Sequence, residues 1–373
     1  VSRVMPSSLE KIARPAALAF MLVCMAFALF TRHAWEDYLI TFRSSLHLAT
    51  GQGLVFQPGE RVHSFTSPLG TLLPALFALG GGEGVEWRAL WGLRLVSAAA
   101  LASALIIALR VFAVHGFALT AMAGLALWML DPKIVGFSMN GMECGLLIFF
   151  VVLTWWALLG GARLWPLALG LAGLQWTRPD GFVFGGGLLL CWLVLAESPR
   201  PALSARLPAL VRAGLLSIAL YLPWLVWAWL YYGSPIPHTI QAKETHGLPH
   251  ETLLHLLFFP FRLLTGQAAL HDVFMPAYYY FGGWPGVVTW FARLLTLGGA
   301  LAWLWPAVKS PARLASAAFF LGGLYVETIP RSPWYYPAWQ VLACLAWAGL
   351  FSALWSCYPG ERWRRGVRTV ALS

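Results

Sequence analysis

Charged residues are scarce in this chain. They make up 11% of its 373 residues, whereas soluble domains carry about 25%. This scarcity excludes an ordinary soluble enzyme, and the abundance of apolar residues excludes a disordered chain. Cysteine is also sparse, with five residues and neither a CxxC pair nor a metal-ligand spacing among them. We therefore expect neither a disulfide scaffold nor a cysteine-based metal site.

Long apolar runs dominate the sequence instead. Hydrophobic residues make up 59% of the chain, and its mean hydropathy is +0.69. Because a membrane-spanning helix needs about 20 mainly apolar residues, we predict an all-α multi-pass membrane protein with about 10–12 transmembrane helices in a single domain, residues 1–373. The apolar segments lie at 15–31, 68–82, 88–109, 114–130, 141–160, 164–177, 181–196, 213–232, 286–306, 312–328 and 337–356.

The basic residues indicate how this bundle is oriented. The net charge is +10, but the basic residues lie between apolar segments and form no nucleic-acid motif, so we expect no nucleic-acid partner. The positive-inside rule explains the excess and makes the most basic stretches cytoplasmic. These stretches are the N-terminus 1–14, the loops 197–212 and 307–313, and the tail 357–373. The segments that then fall on the outer side are 32–67, 177–181, 233–285 and 329–336.

The region 68–140 conflicts with this orientation if each apolar segment is a full span. Three such segments lie between residues 68 and 130, whereas the later loops require an even number of crossings before Glu143. We therefore expect one of them, or the stretch 131–140, to be a partial or re-entrant helix.

Two outer segments carry amphipathic patterns. Residues 38–49 have the spacing of a helix that lies in the membrane interface, with Gly51 as its stop signal. Residues 250–264 show a similar pattern, which Pro260 is expected to break or kink. The predicted apolar face of 38–49 consists of Tyr38, Leu39, Phe42, Leu46 and Ala49, and the opposite face of Arg43, Ser44 and His47.

Two adjacent carboxylates, Glu36 and Asp37, lie between the first apolar segment and this helix. Like charges at an apolar boundary destabilise each other's ionised form, which suits one of them to accept a proton as a general base. Helix capping is the simpler interpretation, because the helix dipole stabilises acidic residues at an N-terminus. The residues alone leave both interpretations open.

Three further polar motifs lie at the ends of apolar segments, where ionisable groups are functional candidates by default. Each also has a purely structural interpretation. Arg178 and Asp180 could form a local ion pair in a tight turn, Glu143 could cap the helix after it, and the aromatic residues 334–336 could belong to an interfacial belt.

These motifs together carry a family resemblance. Residues 35–73, WEDYLITFRSSLHLATGQGLVFQPGERVHSFTSPLGTLL, are similar to the N-terminal signature of the actinobacterial membrane arabinofuranosyltransferases, which are GT-C glycosyltransferases. The family's Gly-Met-Glu turn resembles 140–143 (NGME), and its Arg-Pro-Asp-Gly loop resembles 177–181 (TRPDG). Its Tyr-Gly-x-Pro-x-Pro-Asn-Thr…Ala-Lys loop resembles 232–243, and WYYP at 334–337 is a looser match. The sequence has Glu36 where the family has Asp and His238 where it has Asn.

The resemblance implies a GT-C-like bundle that acts on the outer face of the bacterial plasma membrane. A sugar on a polyprenyl-phosphate donor, arabinofuranose by analogy, is attacked with inversion by a hydroxyl of a glycan, lipid or protein acceptor. The catalytic residues implied are Asp37, as the base, and Glu36, with a divalent cation (Mg or Mn) at one of them left open. The implied substrate-binding residues are Arg43, Glu60, Arg61, His63, Glu143, Arg178, Asp180, His238, Lys243, Arg331 and Tyr335. The sequence is similar to a smaller member of the family, lacking the C-terminal soluble domain.

Two alternatives belong to other functional classes. A transporter or flippase for a lipid-linked precursor would also use intramembrane charges. Transporters tend to carry inverted repeats and polar residues at mid-membrane depth, whereas this sequence shows no repeat and places Glu36, Asp37, Glu143 and Asp180 at segment ends. A structural or assembly role would follow if the site had decayed.

Overall fold

The chain folds into an all-α bundle. The computed structural model describes residues 8–195, 203–243, 250–329 and 331–358, and within these ranges the backbone forms helices and no strand. The predicted all-α multi-pass architecture is therefore confirmed. The α-helices are α1 Ser8–Thr31, α2 Glu36–Ala49, α3 Pro68–Ala78, α4 Val85–Val114, α5 Ala121–Met129, α6 Pro132–Met139, α7 Cys144–Leu159, α8 Leu164–Thr177, α9 Gly181–Leu195, α10 Leu203–Tyr232, α11 His238–Lys243, α12 His250–Leu257, α13 Phe259–Leu264, α14 Gly286–Leu301, α15 Ser310–Val326 and α16 Pro337–Cys357.

The number of long spans is lower than the sequence suggests. Five helices in the described ranges, α1, α4, α10, α14 and α16, are long and apolar enough to cross a membrane, and α6 with α7 forms a sixth span if their 116° bend is a break within one span. The other apolar segments form helices of 9 to 17 residues, below the length of about 20 that a straight span needs. Glycine or proline follows the ends of some of them: Gly80 lies just after α3, and Pro179 lies just after α8.

Contacts between the loops define two ends of the bundle. At one end, Arg178 pairs with Glu143 at 3.1 Å, and the His238 N–H donates to the His63 carbonyl at 3.1 Å. We call this the site end, because the segments 32–67, 177–181, 233–285 and 331–336 contact one another there. At the opposite end, Lys309 Nζ donates to the His115 carbonyl at 2.8 Å. The four segments expected on the outer side therefore share one end, and the basic segment 307–313 lies at the other.

The region 68–140 contains partial helices, as the conflict in orientation required. Helix α3 has 11 residues and α6 has 8. The Asp131 carboxylate caps α6 by accepting from the backbone N–H groups of Lys133 and Ile134. Between α6 and α7 the chain turns sharply at Gly141, whose φ is +103°.

Helix α2 confirms the predicted amphipathic helix but shows that its predicted faces are partly wrong. The helix ends before Thr50, with Gly51 at a φ of +77°. Tyr38 and Phe42 are buried as expected, but Leu39 is 54% exposed, and Ser44 and Ser45 are fully buried. Ser45 Oγ donates to the Thr71 carbonyl at 2.7 Å, so the small serine side chains allow α2 to pack closely on α3. Leu39 consequently faces away from the protein.

The second amphipathic stretch is broken, as its proline predicts. Helix α12 ends at Leu257, and α13 begins at Phe259 with Pro260 in its first turn. Because proline lacks an N–H and clashes with the preceding turn, one continuous helix over 250–264 is excluded. The buried Glu327 carboxylate lies 3.7 Å from Arg262 and accepts the Ala269 N–H at 2.7 Å, which anchors the chain after α13 to the end of α15.

Gly141→Ala is expected to destabilise the protein by about 2 kcal/mol or more, because an alanine Cβ would disfavour the positive φ and clash with its neighbour. A Cβ built at Gly141 would lie 2.4 Å from Cγ of Tyr38. Thermal unfolding in detergent measures the effect. The control is Gly187→Ala in α9, where no atom lies within 4 Å of a new Cβ and φ is not positive, and where alanine favours the helix. Equal melting temperatures for the two variants would contradict the prediction.

Candidate active site

The first turn of α2 presents the predicted catalytic carboxylates at the site end. Buried Arg94 on α4 supports this turn, with Nε donating to the Met139 carbonyl at 2.7 Å and Nη2 to the His33 carbonyl at 2.8 Å. The Trp35 N–H donates to the Asn140 carbonyl at 2.8 Å. These bonds join α4, the end of α6 and the link between α1 and α2, so the start of α2 has a defined position.

Glu36 and Asp37 are the first two residues of α2. The N-cap position belongs to Trp35, which makes no side-chain capping bond. Glu36 is exposed and Asp37 is half-buried. Both carboxylates therefore interact favourably with the helix dipole, and a dipole interaction leaves a carboxylate able to accept a proton.

Aromatic rings surround this turn. The Trp35 ring stacks on Tyr278, with centroids 6.2 Å apart and planes at 19°, and lies 5.7 Å from the Trp334 ring. Burial raises the pKa of the Tyr278 hydroxyl, and the charges of Tyr280, Glu36 and Asp37 raise it further.

A buried three-residue ion network lies at the same end. Arg178 Nη1 donates to Glu143 at 3.1 Å, and Arg178 Nε donates to Asp180 Oδ1 at 2.8 Å. The side chains of Arg178 and Glu143 are each 11% exposed, and that of Asp180 is 17% exposed. Although burial acts to raise the pKa of Asp180, the ion pair with Arg178 outweighs it, so this pKa lies below its ordinary value.

This network goes beyond both structural interpretations of its motifs. The Arg178–Asp180 pair is local, as the tight turn predicts, but Glu143 joins it from 35 residues away. Glu143 occupies the N-cap position of α7 without a side-chain capping bond. Asp180 Oδ2 also accepts from the Tyr325 hydroxyl at 2.8 Å, and the Arg178 guanidinium lies 4.6 Å from the centroid of the Tyr335 ring. All three nitrogens of the Arg178 guanidinium thus donate to carboxylates, which uses three of its five N–H groups.

A second polar group lies beyond Tyr278. The side chain of Asp272 is 5% exposed and accepts from the Tyr279 hydroxyl at 2.6 Å. Arg331 Nε lies 3.5 Å from Asp272 Oδ2, while the Arg331 side chain remains 54% exposed. Lys133 is buried and donates to three backbone carbonyls, those of Asp272, Val273 and Met275.

Three other predicted substrate-binding residues, Arg61, His63 and His238, form a separate group around His63. The ring of His63 is buried and stacks on Tyr232 at 4.4 Å, and its backbone N–H donates to His238 Nδ1 at 3.0 Å. Arg61 lies over the Tyr231 ring at 4.9 Å, and Arg43 over the Phe56 ring at 4.7 Å. Glu60 forms an isolated bridge with Gln57.

The structure therefore divides the predicted residues into two groups. Glu36, Asp37, Glu143, Arg178, Asp180, Arg331 and Tyr335 are linked through the rings of Trp35, Trp334 and Tyr278. Arg61, His63 and His238 belong to the group around His63, whereas Arg43 contacts Phe56 and Glu60 bridges to Gln57 within the segment 32–67. Helix α11 ends at Lys243, whose side chain lies outside the described part of the structure.

Sequence patterns missed three residues that the structure places beside the first group. Lys133, Asp272 and Tyr278 line one recess together with Arg331. Lys133 carried a usable signal, because it is a lone cation in the apolar stretch that was expected to form a partial helix. Asp272 carried only the general signal of an acid between apolar segments, and Tyr278 carried none, since the loop between α13 and α14 has no periodicity.

A divalent cation would find few protein ligands here. Within the described residues, no group of three or more His, Cys, Asp or Glu side chains could hold a metal ion. Glu36 and Asp37 are neighbours in a helix and project about 100° apart, so one of them would serve as a single ligand. Mg²⁺ commonly binds through one or two carboxylates with water and substrate phosphate completing its shell, and Asp37 fits that mode.

His63 gives the fold a dependence on pH. Burial, together with the nearby charge of His238, lowers the pKa of His63 from 6.5 to about 4, and neither ring nitrogen has a hydrogen-bond partner in the described residues. The unfolded chain takes up this proton near pH 6.5 and the folded chain only near pH 4. Stability is therefore expected to fall as the pH drops through this window, by about 3 kcal/mol at most.

His63→Phe tests this expectation, because phenylalanine keeps the ring on Tyr232 but cannot ionise. Melting temperatures in detergent, measured from pH 7.5 down to pH 4.5, should fall less in the variant than in the wild type. Parallel pH profiles for the two proteins would show that His63 is not the group responsible.

Comparison with known proteins finds two similar sequences among curated proteins. Over 227 residues, 57% of this chain, the sequence is 27% identical to a terminal beta-(1->2)-arabinofuranosyltransferase of Mycobacterium tuberculosis. The chain is similar to arabinofuranosyltransferases. A terminal beta-(1->2)-arabinofuranosyltransferase of Corynebacterium glutamicum is 29% identical over 236 residues, 56% of the chain. No family model and no solved structure matches the chain.

The arabinofuranosyltransferase similarity covers part of each protein. The matched region spans about a third of the length of each relative, 35% and 33% respectively. The predicted resemblance to arabinofuranosyltransferases is thereby confirmed at the level of sequence similarity. Glycosyltransferase relatives and several apolar helices both support a multi-pass membrane protein.

Proposed function

We propose that the chain is a membrane glycosyltransferase that transfers a sugar, arabinofuranose by analogy with its relatives, from a polyprenyl-phosphate donor to an acceptor hydroxyl on the outer face of the bacterial plasma membrane. The observation that carries the proposal is the site end itself. A half-buried carboxylate at a helix start, Asp37, shares that end with buried ion pairs and a set of aromatic rings, in a chain whose relatives are arabinofuranosyltransferases.

The proposed reaction is a single displacement with inversion. Asp37 accepts the proton of the acceptor hydroxyl, whose oxygen bonds to the anomeric carbon of the donor sugar. The bond between that carbon and the phosphate oxygen breaks, and polyprenyl phosphate leaves with the electron pair. A bound divalent cation would supply charge stabilisation for the phosphate. The prenyl chain would lie against apolar helix surfaces such as the exposed Leu39 of α2.

Solvent-exposed arginines are better candidates than the buried Arg178 to contact the leaving phosphate. A departing phosphate requires a positive charge, but the guanidinium of Arg178 is occupied by Glu143 and Asp180. Arg43, Arg61 and Arg331 are exposed at the site end. We therefore assign Arg178 to the support of the site, and the contact with phosphate to the exposed arginines.

Purified protein in lipid tests the proposal. A short-chain prenyl-phosphate arabinofuranoside and an arabinofuranoside acceptor should give a new disaccharide and one equivalent of free prenyl phosphate. Parallel reactions with other prenyl-phosphate sugars measure donor preference. Movement of the lipid-linked sugar across vesicles without any transfer would contradict the proposal and identify a flippase.

A further inference from the structure

A small open recess, with room for about one water-sized group, lies near the proposed catalytic carboxylate. Its walls include tyrosine rings, and its polar groups come from α6, from the loop between α13 and α14, and from the segment after α15. The residues that matter for the argument are Lys133, Asp272, Tyr278, Tyr279, Arg331 and Tyr336. Of these residues, the proposed reaction so far uses only Arg331.

Asp272 places a carboxylate with remaining acceptor capacity at the recess. Its side chain is 5% exposed, and Oδ1 accepts from the Tyr279 hydroxyl at 2.6 Å. Oδ2 is buried and makes no hydrogen bond of standard geometry within the described residues. Arg331 Nε is 3.5 Å from that oxygen, and the Tyr336 hydroxyl also interacts with the carboxylate. A carboxylate oxygen has two lone-pair sites, so Oδ2 retains capacity, and an unsatisfied buried acceptor is costly.

The two cations near Asp272 have different roles. Lys133 Nζ donates to three backbone carbonyls, which uses all three of its N–H groups. Lys133 therefore holds the loop backbone in place and has no donor left for a ligand. Arg331 is 54% exposed, so its outer N–H groups remain available at the mouth of the recess.

The recess thus presents one acceptor and one set of donors side by side. A hydroxyl group satisfies both, because its O–H donates to Asp272 Oδ2 while its oxygen accepts from Arg331. A phosphate oxygen cannot donate and would be repelled by the carboxylate at short range. Tyrosine rings on the walls suit the apolar face of a sugar ring.

From this pairing we infer that Asp272 and Arg331 form a binding site for a sugar hydroxyl group in the reaction proposed above. The inference rests on the proposed function and removes Arg331 from the arginines that meet the phosphate. The recess is close to the reacting centre, because Tyr278 lines it and also stacks on Trp35, two residues before Asp37 in the chain. The hydroxyl belongs either to the donor sugar or to the acceptor sugar.

Asp272→Asn is the main test, since asparagine keeps an oxygen for Tyr279 but replaces the open acceptor with an N–H donor. Steady-state kinetics are measured with intact donor and acceptor and with analogues in which single hydroxyls are replaced by hydrogen. The wild type should prefer one hydroxyl over its deoxy analogue by about 10- to 100-fold in kcat/KM. Asp272→Asn should lose that preference and raise KM for the same substrate, and the substrate affected identifies the source of the hydroxyl.

Arg331→Gln provides a second variant at an exposed position, where folding is less at risk. It should weaken the same preference for the same hydroxyl. Glu83→Gln, an exposed carboxylate in the turn before α4, is the control and should keep the wild-type preference. The inference would be overturned if Asp272→Asn kept the full wild-type preference for the hydroxyl over its deoxy analogue. If Asp272→Asn does not fold, the same result in Arg331→Gln would overturn it. It would also be overturned if Arg331→Gln weakened only inhibition by a short prenyl phosphate.

Direct binding separates failure of this inference from failure of the proposed function. Methyl arabinofuranoside is titrated into wild type and into both variants, with tryptophan fluorescence and calorimetry as readouts. Binding that is lost in both variants supports the site even if the wild type transfers no sugar. Transfer by the wild type with unchanged binding and discrimination in both variants would overturn the site and leave the proposed function standing.

Discussion

Asp37→Asn is expected to lower the rate of sugar transfer by about 10²- to 10⁴-fold, the range that a positioned general base contributes. Asparagine has nearly the same shape and keeps a polar side chain in the first turn of α2, but it cannot take the proton of the acceptor hydroxyl. KM for either substrate should change little, because the loss concerns the transition state. Release of prenyl phosphate and formation of the disaccharide measure the effect.

The control for Asp37→Asn separates proton transfer from helix stabilisation. Glu86 occupies the first turn of α4, as Asp37 occupies the first turn of α2. Glu86→Gln removes the same favourable interaction with a helix dipole, which is about 0.3–1 kcal/mol, and should leave the turnover rate unchanged. The two variants should have similar melting temperatures. Wild-type turnover by Asp37→Asn would show that Asp37 only stabilises its helix.

Local sequence patterns predict the structure correctly where a segment's conformation depends mainly on its own residues. The amphipathic pattern and Gly51 predict α2 to within two residues at its start. Pro260 predicts the break between α12 and α13, because proline acts on its own turn. The resemblance in motif order also pointed to the right relatives, since each motif is a short contiguous pattern.

Tertiary packing decided what the sequence left open. The buried face of α2 includes Ser45 because the Thr71 carbonyl accepts its hydroxyl, and a hydrophobicity pattern gives no sign of that partner. Glu143 pairs with Arg178, which lies 35 residues later in the chain. The sequence around Glu143 therefore does not distinguish a helix cap from a member of an ion network. Sequence spacing likewise could not separate the group around His63 from the group around Trp35, because all of these loops reach the same end of the bundle.

Lys133 and Asp272 show why a recess is harder to predict than a motif. Asp272 is one of several acids in outer segments, and only the approach of Arg331, 59 residues later in the chain, distinguishes it. Lys133 was visible as a lone cation, but its three carbonyl partners belong to a loop about 140 residues away. Long-range contacts of this kind depend on the whole bundle, so the polar pair in the recess becomes apparent only in three dimensions.

Arg178→Met is expected to destabilise the protein by about 3–5 kcal/mol, the cost of breaking a buried ion pair by removing one partner. The loss should be at the upper end, because one arginine neutralises two carboxylates, Glu143 and Asp180, that are largely buried. Methionine approximates the length of the side chain but leaves both charges unpaired. Thermal unfolding in detergent, and the yield of folded protein after purification, measure the effect.

Neutralising Glu143 and Asp180 shows whether Arg178→Met loses stability through unpaired charge or through lost packing. The triple variant Arg178→Met, Glu143→Gln, Asp180→Asn should recover a large part of the lost stability, since it leaves no buried charge without a partner. Arg163→Met is the matched control, because Arg163 is exposed and its guanidinium lies 5.5 Å from the centroid of the Trp156 ring, with no carboxylate paired to it in the described residues. Its melting temperature should stay close to that of the wild type. If Arg178→Met and Arg163→Met unfolded at the same temperature, the network would not stabilise the site end, and Arg178 would again be a candidate for binding the donor phosphate.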